Sequence, residues 1–258
     1  MSFIMLRRRE CIQLQGTEDL SPRVLSILDN YYLNKDTNNE PVQTSNYQAL
    51  IISVSIPKTV SNITFSMGST GAWRLYSYNQ GNIIKNGYPI NSSMPRTYAL
   101  DSPADRIDMS VLKLNKNNAY ILDADTGEAI LRCSDLEELK EMVINRFYIT
   151  KSGTLTSSAL YCTVIVDLSE SVNNLRFSTG HTANYPSLVG FNDSTPHNNT
   201  FIVGVAGKSD TTGSFIGSNK LALAVYKENK NDAYIYDEDR GKYIWKGSEM
   251  DWSKYVLS

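Results

Sequence analysis

Apolar residues alternate with other residues along several short segments of the chain. Leu50, Ile52, Val54 and Ile56 occupy every second position, which is the spacing of a strand with one buried face. Clusters of Gly, Asn, Ser and Pro separate these segments, as turns separate strands. The same alternation returns 112 residues later (162 − 50), at Cys162, Val164, Val166 and Leu168. The pattern therefore predicts a mostly β protein in which Cys162 is a small core residue.

Longer segments also repeat. Residues 115–127 return as 229–241 with nine of thirteen identities, at an offset of 114 (229 − 115), and residues 60–68 return as 172–180 at an offset of 112 (172 − 60). Solenoid units have periods of roughly 20–50 residues, so this spacing indicates a duplicated domain. About eight predicted strands per copy favour a jelly roll over a seven-stranded immunoglobulin-like sandwich.

Helical spacing predicts a short α-helix before each sandwich. Ser21-Pro22 supplies an N-cap and a first-turn proline, and apolar residues from Val24 to Tyr32 fall on one helical face. Residues 134–137 match a capping box, and an apolar stripe follows as far as Phe147. Ser248 stands where Ser134 stood, which predicts a C-terminal helix. The predicted organisation is an N-terminal arm (1–18), a helix plus sandwich (19–132), a second helix plus sandwich (133–247) and a C-terminal helix (248–258).

Composition and charge exclude some classes of partner. The formal net charge is −2, so the whole chain lacks the basic footprint of a protein that binds nucleic acid or acidic membranes. We also expect no membrane partner from the apolar runs, because none reaches ~18 residues. The N-terminus lacks the order of a signal peptide, since its charges follow a very short apolar run. Cys11, Cys133 and Cys162 have no CxxC spacing, which predicts reduced thiols in a chain made in a reducing cytoplasm.

The arm contains the run Arg7-Arg8-Arg9. Two interpretations are open: a solvated tether, or a contact with an acidic partner or nucleic acid. We assign these arginines to an assembly arm that anchors the chain to a neighbour.

The acidic segment at 123–128 resembles the start of a calcium loop. An EF-hand loop needs glycine at its sixth position and glutamate at its twelfth, whereas here glycine is fifth and the twelfth residue is Ser134. A hairpin turn, with Gly127 at positive φ, is the favoured interpretation, and a weak calcium site is the alternative. Neither His181 nor His197 belongs to a catalytic pattern, and GxSxG, Walker and GxGxxG motifs are absent from the sequence. We therefore predict no catalytic residues, no metal and no cofactor; a hydrolase with a carboxylate pair formed by folding stays open as a third possibility.

Residues 73–79 form the most suggestive strand. Alternation puts Trp73 and Leu75 on one face and Arg74, Tyr76 and Tyr78 on the other. Tyrosine offers a large contact area with a polar tip at little entropic cost, which suits a protein partner or a sugar. Ordinary sandwich packing, a protein interface and glycan binding remain open for this strand. The candidate binding residues are Trp73, Arg74, Tyr76, Tyr78 and Arg106.

Four segments, 47–54, 63–66, 73–79 and 104–111, resemble galactose-binding-like and jelly-roll modules in the tail, baseplate and fibre proteins of bacteriophages, including gut phages of Bacteroidales. In such modules a strand with the pattern W/Y-R-x-x-x-Y-D/N follows the opening strand, and an arginine-bearing strand comes later. The resemblance covers 45–115 well and 157–227 loosely, because the second copy has no Trp-Arg pair.

The resemblance implies a non-enzymatic virion structural protein, made in the host cytoplasm and located in the tail, the baseplate or a fibre attachment. Its implied partners are other virion proteins and further copies of itself. The alternative is a glycan-binding receptor protein that uses the first sandwich to bind a host surface glycan.

Overall fold

A computed structural model describes residues 22–57, 60–68, 74–87, 95–100, 102–181, 187–192, 195–202, 210–255 and 257. Within these ranges the chain is mostly β, and the sheets are antiparallel. The prediction of a mostly β, sandwich-like protein is confirmed. The arm, Cys11 and Trp73 lie outside the described residues.

We call strands β1–β9 the first unit. They form a five-stranded sheet in the order β1-β2-β7-β4-β5 and a four-stranded sheet in the order β6-β3-β8-β9. The strands are β1 (Arg23–Lys35), β2 (Pro41–Ser55), β3 (Asn62–Met67), β4 (Leu75–Asn79), β5 (Asn82–Gly87), β6 (Arg96–Ala99), β7 (Arg106–Leu112), β8 (Ala119–Asp123) and β9 (Ala129–Arg132).

We call strands β10–β16 the second unit. Two of its strands are long enough to take part in both layers, so its described strands join into one seven-stranded sheet. The strands are β10 (Glu141–Ile149), β11 (Leu155–Ser178), β12 (Ser187–Asn192), β13 (Thr195–Ile202), β14 (Asp210–Tyr226), β15 (Tyr234–Asp237) and β16 (Lys242–Lys246). Short 3₁₀ turns occur at Lys113–Asn118, Cys133–Asp135, Glu137–Leu139, Lys230–Asp232, Gly247–Glu249 and Trp252–Lys254.

The two units share one pairing order. The path β1-β2-β7-β4-β5 of the first unit has the same sequence of partners as β10-β11-β14-β12-β13 of the second, and β6-β3-β8-β9 matches β14-β11-β15-β16. Asn30 in β1 and Arg146 in β10 both adopt positive φ, 66° and 59°, where each strand changes register with its neighbour. Positions with the same pairing in the two units are called equivalent below.

The same close approach occurs once in each unit. A Cβ atom on Gly68 would lie 2.3 Å from the carbonyl oxygen of Asn115, and one on Gly180 would lie 2.4 Å from that of Asn229. Both glycines have positive φ, 70° and 74°. The recurring asparagine segments at 115 and 229 therefore pack directly on the ends of β3 and β11.

The first predicted helix is wrong: its described part is β1. Apolar residues of this strand met helical spacing because two register shifts, between Val24 and Ser26 and between Asp29 and Tyr31, break the two-residue alternation. The β-branched and aromatic residues of the segment favour a strand.

The second predicted helix is also wrong. Residues 133–139 form two 3₁₀ turns, and β10 follows them. Met142, Val143, Ile144 and Asn145 are all buried in succession, since both faces of β10 are covered. A strand covered on both sides loses its alternation, and its continuous apolar run imitates a helical stripe.

The predicted C-terminal helix consists of two 3₁₀ turns. Met250 between them is extended, with ψ of 135°, and Asp251 starts the second turn by accepting a hydrogen bond from the Ser253 backbone N–H. Met250, Trp252, Tyr255 and Leu257 pack against the core of the second unit.

Two apolar cores organise the molecule. One lies inside the second unit and contains Cys162, as predicted, together with Phe177, Phe215 and Trp245. The other fills the first unit and continues without a break into one face of the second, through Ile144, Ile165, Val189 and Phe191. The outer face of the β10-β11-β14-β12 layer is therefore packed against the end of the first unit.

Candidate functional site

Three fully buried lysines lie at the contact between the units. The Nζ of Lys113 is 2.6 Å from Asp29 Oδ1 and donates hydrogen bonds to Asn30 Oδ1 and to the Val143 carbonyl, both at 2.9 Å. Val143 belongs to the second unit, so one ammonium joins both units. Burial lowers the pKa of Lys113, and the Asp29 carboxylate opposes that shift.

The second lysine forms an ion pair across the contact. Lys116 is paired with Asp167 of the second unit, and Asn117 Nδ2 donates to the other carboxylate oxygen at 3.0 Å. Burial lowers the pKa of Lys116, while Asp167 raises it. The Asp167 carboxylate is thus bound by two neighbouring side chains of the first unit.

The third buried lysine belongs to the second unit and forms a hydrogen bond with the first. Lys220 of the second unit donates to the Leu114 carbonyl of the first at 2.5 Å. Its Nζ also lies 4.6 Å from the centroid of the Phe191 ring. Each buried ammonium therefore has a polar partner on the opposite unit, which satisfies the requirement that buried charge be paired or hydrogen-bonded.

Three of the predicted binding residues, Tyr76, Tyr78 and Arg106, lie on the face of the first unit that is equivalent to the docking face of the second. Leu75 is in the core, whereas Tyr76 and Tyr78 lie on the opposite face, so the predicted alternation is confirmed for these three residues. Arg74, Tyr76 and Tyr78 are all buried, at 8%, 0% and 6% exposure. The structure brings Tyr78 and Arg106 together, with the guanidinium carbon 3.9 Å from the ring centroid.

The hairpin of β1 and β2 covers Tyr76. The Tyr76 hydroxyl donates to the Asn34 carbonyl at 3.2 Å, and the Leu33 N–H donates to Ser110 Oγ at 2.7 Å. Leu33 and Ile51 pack with the two tyrosines in a small separate cluster. Tyr76 is therefore a packing residue of the outer face. Among the four predicted binding residues that the structure describes, the accessible one is Arg106.

Arg106, Tyr78 and Asp108 form a charged group at the edge of that cluster. Arg106 Nε lies 3.2 Å from Asp108 Oδ1, and the Arg106 side chain is 37% exposed. Burial and the nearby Asp108 carboxylate raise the pKa of Tyr78 to about 12. Burial also raises the pKa of Asp108, against a hydrogen bond from Ser53 and the charge of Arg106.

The two equivalent faces differ in polarity. In the second unit, four paired residues on four neighbouring strands pack on the first unit, and all four are apolar. The equivalent row of four residues in the first unit is mostly polar. The paired rows are Met142-Ile165-Ala222-Val189 and Ser26-Ser53-Asp108-Tyr76. The first unit thus presents a polar sheet face where the second presents a docking face, as expected of a terminal unit in a stack.

The acidic segments form turns, as predicted. Gly127 and Gly241 have positive φ of 76° and 65°. Asp123 Oδ1 accepts from the Asp125 N–H at 2.8 Å, and Asp237 Oδ1 accepts from the Asp239 N–H at 3.0 Å. Among the residues with described positions, no group of three or more His, Cys, Asp or Glu side chains is placed to hold a metal ion.

The turn of the second unit borders a pocket of about 250 Å³. Arg240 lies at the turn and pairs with Asp237 at 2.6 Å and with Glu170 at 3.1 Å, and Lys242 and Tyr243 are among the other residues that line the pocket. The equivalent of Arg240 in the first unit is Thr126. Sequence reasoning missed this group, although the substitution at a repeated turn was visible in the repeat itself.

Sequence reasoning also missed an aromatic face on the outer layer of the second unit, around Tyr236 and Tyr243. Aligning the repeats through β8 and β15 would have shown it, because Tyr236 stands at the position of Leu122. Buried Cys133 and Cys162 are free thiols whose pKa burial raises to about 12, so neither is suited to act as a thiolate.

No protein-family model matches the chain, and no curated protein does. Solved structures similar to it include an allantoicase, at 8% identity and a TM-score of 0.23 over 80% of this chain and 90% of that one. Another is the allantoicase of Saccharomyces cerevisiae, at 8% identity and a TM-score of 0.21 over 80% of this chain and 91% of that one. Likeness at this level carries no argument about function. Within the described ranges, no helix has the length and apolar character needed to span a membrane.

Proposed function

We propose that this chain is a non-enzymatic structural component of a phage virion, in the tail, the baseplate or a fibre attachment, and that it works by protein–protein assembly. The observation that carries the proposal is the contact between the units. A continuous apolar core and three buried lysines, Lys113, Lys116 and Lys220, join the two sandwiches into one body.

Such a contact suits a spacer. Flexible two-domain proteins have small, polar interfaces between their domains, whereas a large apolar interface restricts relative motion. Lys116 is paired with Asp167 across the contact, so a change of angle between the units would separate this buried ion pair. The arrangement therefore favours a fixed geometry over a hinge.

We further propose that residues 19–132 and 133–247 are a tandem duplication of one jelly-roll-like domain. The shared pairing order, the positive-φ residues Asn30 and Arg146, and the matched glycines at 68 and 180 support this. Duplication of a domain that docks on its own copy is a direct route to a rod-like spacer.

Mass spectrometry of particles purified from cells that express the chain tests the proposed function. We expect the chain in fixed stoichiometry with other virion proteins, held through its arm at 1–18, with Arg7, Arg8 and Arg9 in the contact. Loss of the chain from particles when residues 1–18 are deleted would support the role of the arm. Absence of the intact chain from the particles would overturn the proposal.

A second candidate function is glycan binding by the first unit. The observation that favours it is the charged group Arg106, Asp108 and Tyr78 on a polar sheet face, since paired cations and carboxylates suit sugar hydroxyls. Because Arg74 and Tyr76 are buried, the sharper test is Arg106→Ala in a glycan array. Binding by the parent protein that this variant loses would support the candidate, and no binding by the parent would exclude it for the glycans on the array.

A further inference from the structure

The outer layer of the second unit presents an aromatic face. It consists of Arg176, Tyr234, Tyr236, Tyr243 and Lys246, and we call it the tyrosine face. The ring centroids of Tyr236 and Tyr243 are 5.0 Å apart, and those of Tyr234 and Tyr243 are 5.7 Å apart. Arg176 lies 4.8 Å over the Tyr236 ring, and the Lys246 ammonium 4.9 Å over the Tyr243 ring.

The fold does not require three of these side chains. Arg176, Tyr236 and Tyr243 are cross-strand neighbours in the second unit. The equivalent neighbours in the first unit are Thr64, Leu122 and Ala129. The first unit therefore builds the same sheet with small or aliphatic residues at these three positions, so stability of the sandwich does not explain Arg176, Tyr236 and Tyr243. The other two members of the face, Tyr234 and Lys246, have an aromatic and a cationic equivalent, Tyr120 and Arg132.

The composition of the tyrosine face is that of an interface. Tyrosine and arginine are enriched at protein contacts and among the residues that dominate binding energy. Tyr243 is 50% exposed and the Arg176 side chain 40% exposed. The rings hold one another by edge-to-face contacts, so little side-chain entropy would be lost on binding.

The charges on this surface are balanced. Arg176 Nε lies 2.7 Å from Glu238 Oε1, and Lys246 is paired with Glu249. A surface that presents an arginine beside a glutamate does not favour a strongly charged partner. It is, however, complementary to itself after a rotation of 180°, because the arginine of one copy then meets the glutamate of the other.

We propose that the tyrosine face is a self-association surface, on which a second copy of the chain pairs about a two-fold axis with Arg176 opposite Glu238. The inference rests on the proposed assembly function and names the partner of this surface. The tyrosine face has five side chains, fewer than the roughly 20–30 residues that each partner contributes to a stable complex. The pairing is therefore weak in solution and is strengthened when other contacts hold two copies side by side.

Sedimentation equilibrium from micromolar to millimolar concentration tests the proposal. We expect the mean mass to rise from the monomer value of 28.9 kDa toward twice that value. The variant with Arg176→Thr, Tyr236→Leu and Tyr243→Ala carries the first unit's own residues at those positions and is expected to fold. We expect its dimer dissociation constant to be at least about tenfold higher. Tyr120→Leu, on the equivalent face of the first unit, is the matched control and should leave the mass profile unchanged.

A charge exchange makes the test specific. Arg176→Glu and Glu238→Arg should each weaken pairing, since like charges then meet across the two-fold axis. An equimolar mixture of these two variants should recover it, because each mixed pair restores two opposite-charge contacts. A mass that stays at the monomer value at all concentrations, or a triple variant that pairs as well as the parent, would overturn the inference. Either result would leave the particle test of the proposed function intact.

Discussion

Arg106 lies over the ring of Tyr78 in the first unit, and the same cross-strand position in the second unit is occupied by Lys220 over Phe191. In the first unit the cation keeps a partly exposed side chain and pairs with Asp108. In the second unit the cation is fully buried and donates to the Leu114 carbonyl. The same contact between a cation and an aromatic ring therefore occurs in two environments, a polar outer face and a dry contact between units.

The contact between the units should depend on the Lys116–Asp167 pair. Lys116→Met leaves the Asp167 carboxylate without its cation, which typically costs about 3–5 kcal/mol when a buried pair is broken. We expect a loss of that size in the free energy of unfolding in urea. Changing both partners, with Lys116→Met and Asp167→Leu, should recover most of the loss.

The matched control for this prediction is Lys230→Met. Lys230 is the equivalent residue of the second unit and is only half-buried. Its substitution should change stability by less than about 1 kcal/mol. Equal losses for Lys116→Met and Lys230→Met would show that the ion pair contributes nothing particular to the contact.

The close approach of Gly68 to Asn115 gives a second prediction. Gly68→Ala combines an unfavourable positive φ with a Cβ atom 2.3 Å from a carbonyl oxygen, so β3 must shift. We expect a loss well above about 1 kcal/mol in the free energy of unfolding. Gly81→Ala has a similar φ of 82° but no atom within 4 Å, and it isolates the backbone cost. The prediction fails if the two variants are equally stable.

The sequence predicted those parts of the fold that follow from periodicity. The alternation from Leu50 to Ile56 correctly predicted a strand, although Ile51 on its other face is buried as well. The turns at Gly127 and Gly241 followed from local chemistry. The predicted helices failed where alternation was lost. Register shifts interrupt β1, and the docking of the second unit buries both sides of β10. The second effect is a property of the assembled pair, which no single segment reveals.

The candidate site was predicted in the same limited way. Alternation placed Tyr76 and Tyr78 on the outer face correctly, but it could not show that the β1–β2 hairpin folds over Tyr76. Long-range contacts of this kind connect residues about forty positions apart and leave no local pattern. The buried lysines were equally hidden, because a lysine in a polar turn is ordinarily a solvated one.

Alkaline pH should weaken the fold through Tyr78. Its pKa is raised to about 12 in the folded protein from the ordinary value of 10.0, so the folded state keeps a proton that the unfolded state releases. The contribution is complete below pH 10 and is lost as pH rises from about 10 to about 12. Urea unfolding of Tyr78→Phe and of the parent across that interval should show a steeper loss for the parent. Parallel curves would contradict the assignment.

A substitution of Arg240 can distinguish its role in the turn from its role in the pocket that it lines. The turn of the first unit has Thr126 in its place and keeps the same hydrogen bond from the second aspartate N–H to the first aspartate. Arg240→Thr should therefore leave the turn intact. We expect the free energy of unfolding to change by less than about 1 kcal/mol, because Glu170 is exposed and because the backbone N–H groups of Asp239 and Arg240 also donate to Asp237. The side chain of Asp237 is 1% exposed and pairs with Arg240 at 2.6 Å. In the variant this carboxylate loses its cation, and only the backbone hydrogen bonds of the turn hold it. A loss of several kcal/mol would mean that they do not, and that Arg240 is a structural residue of the second unit.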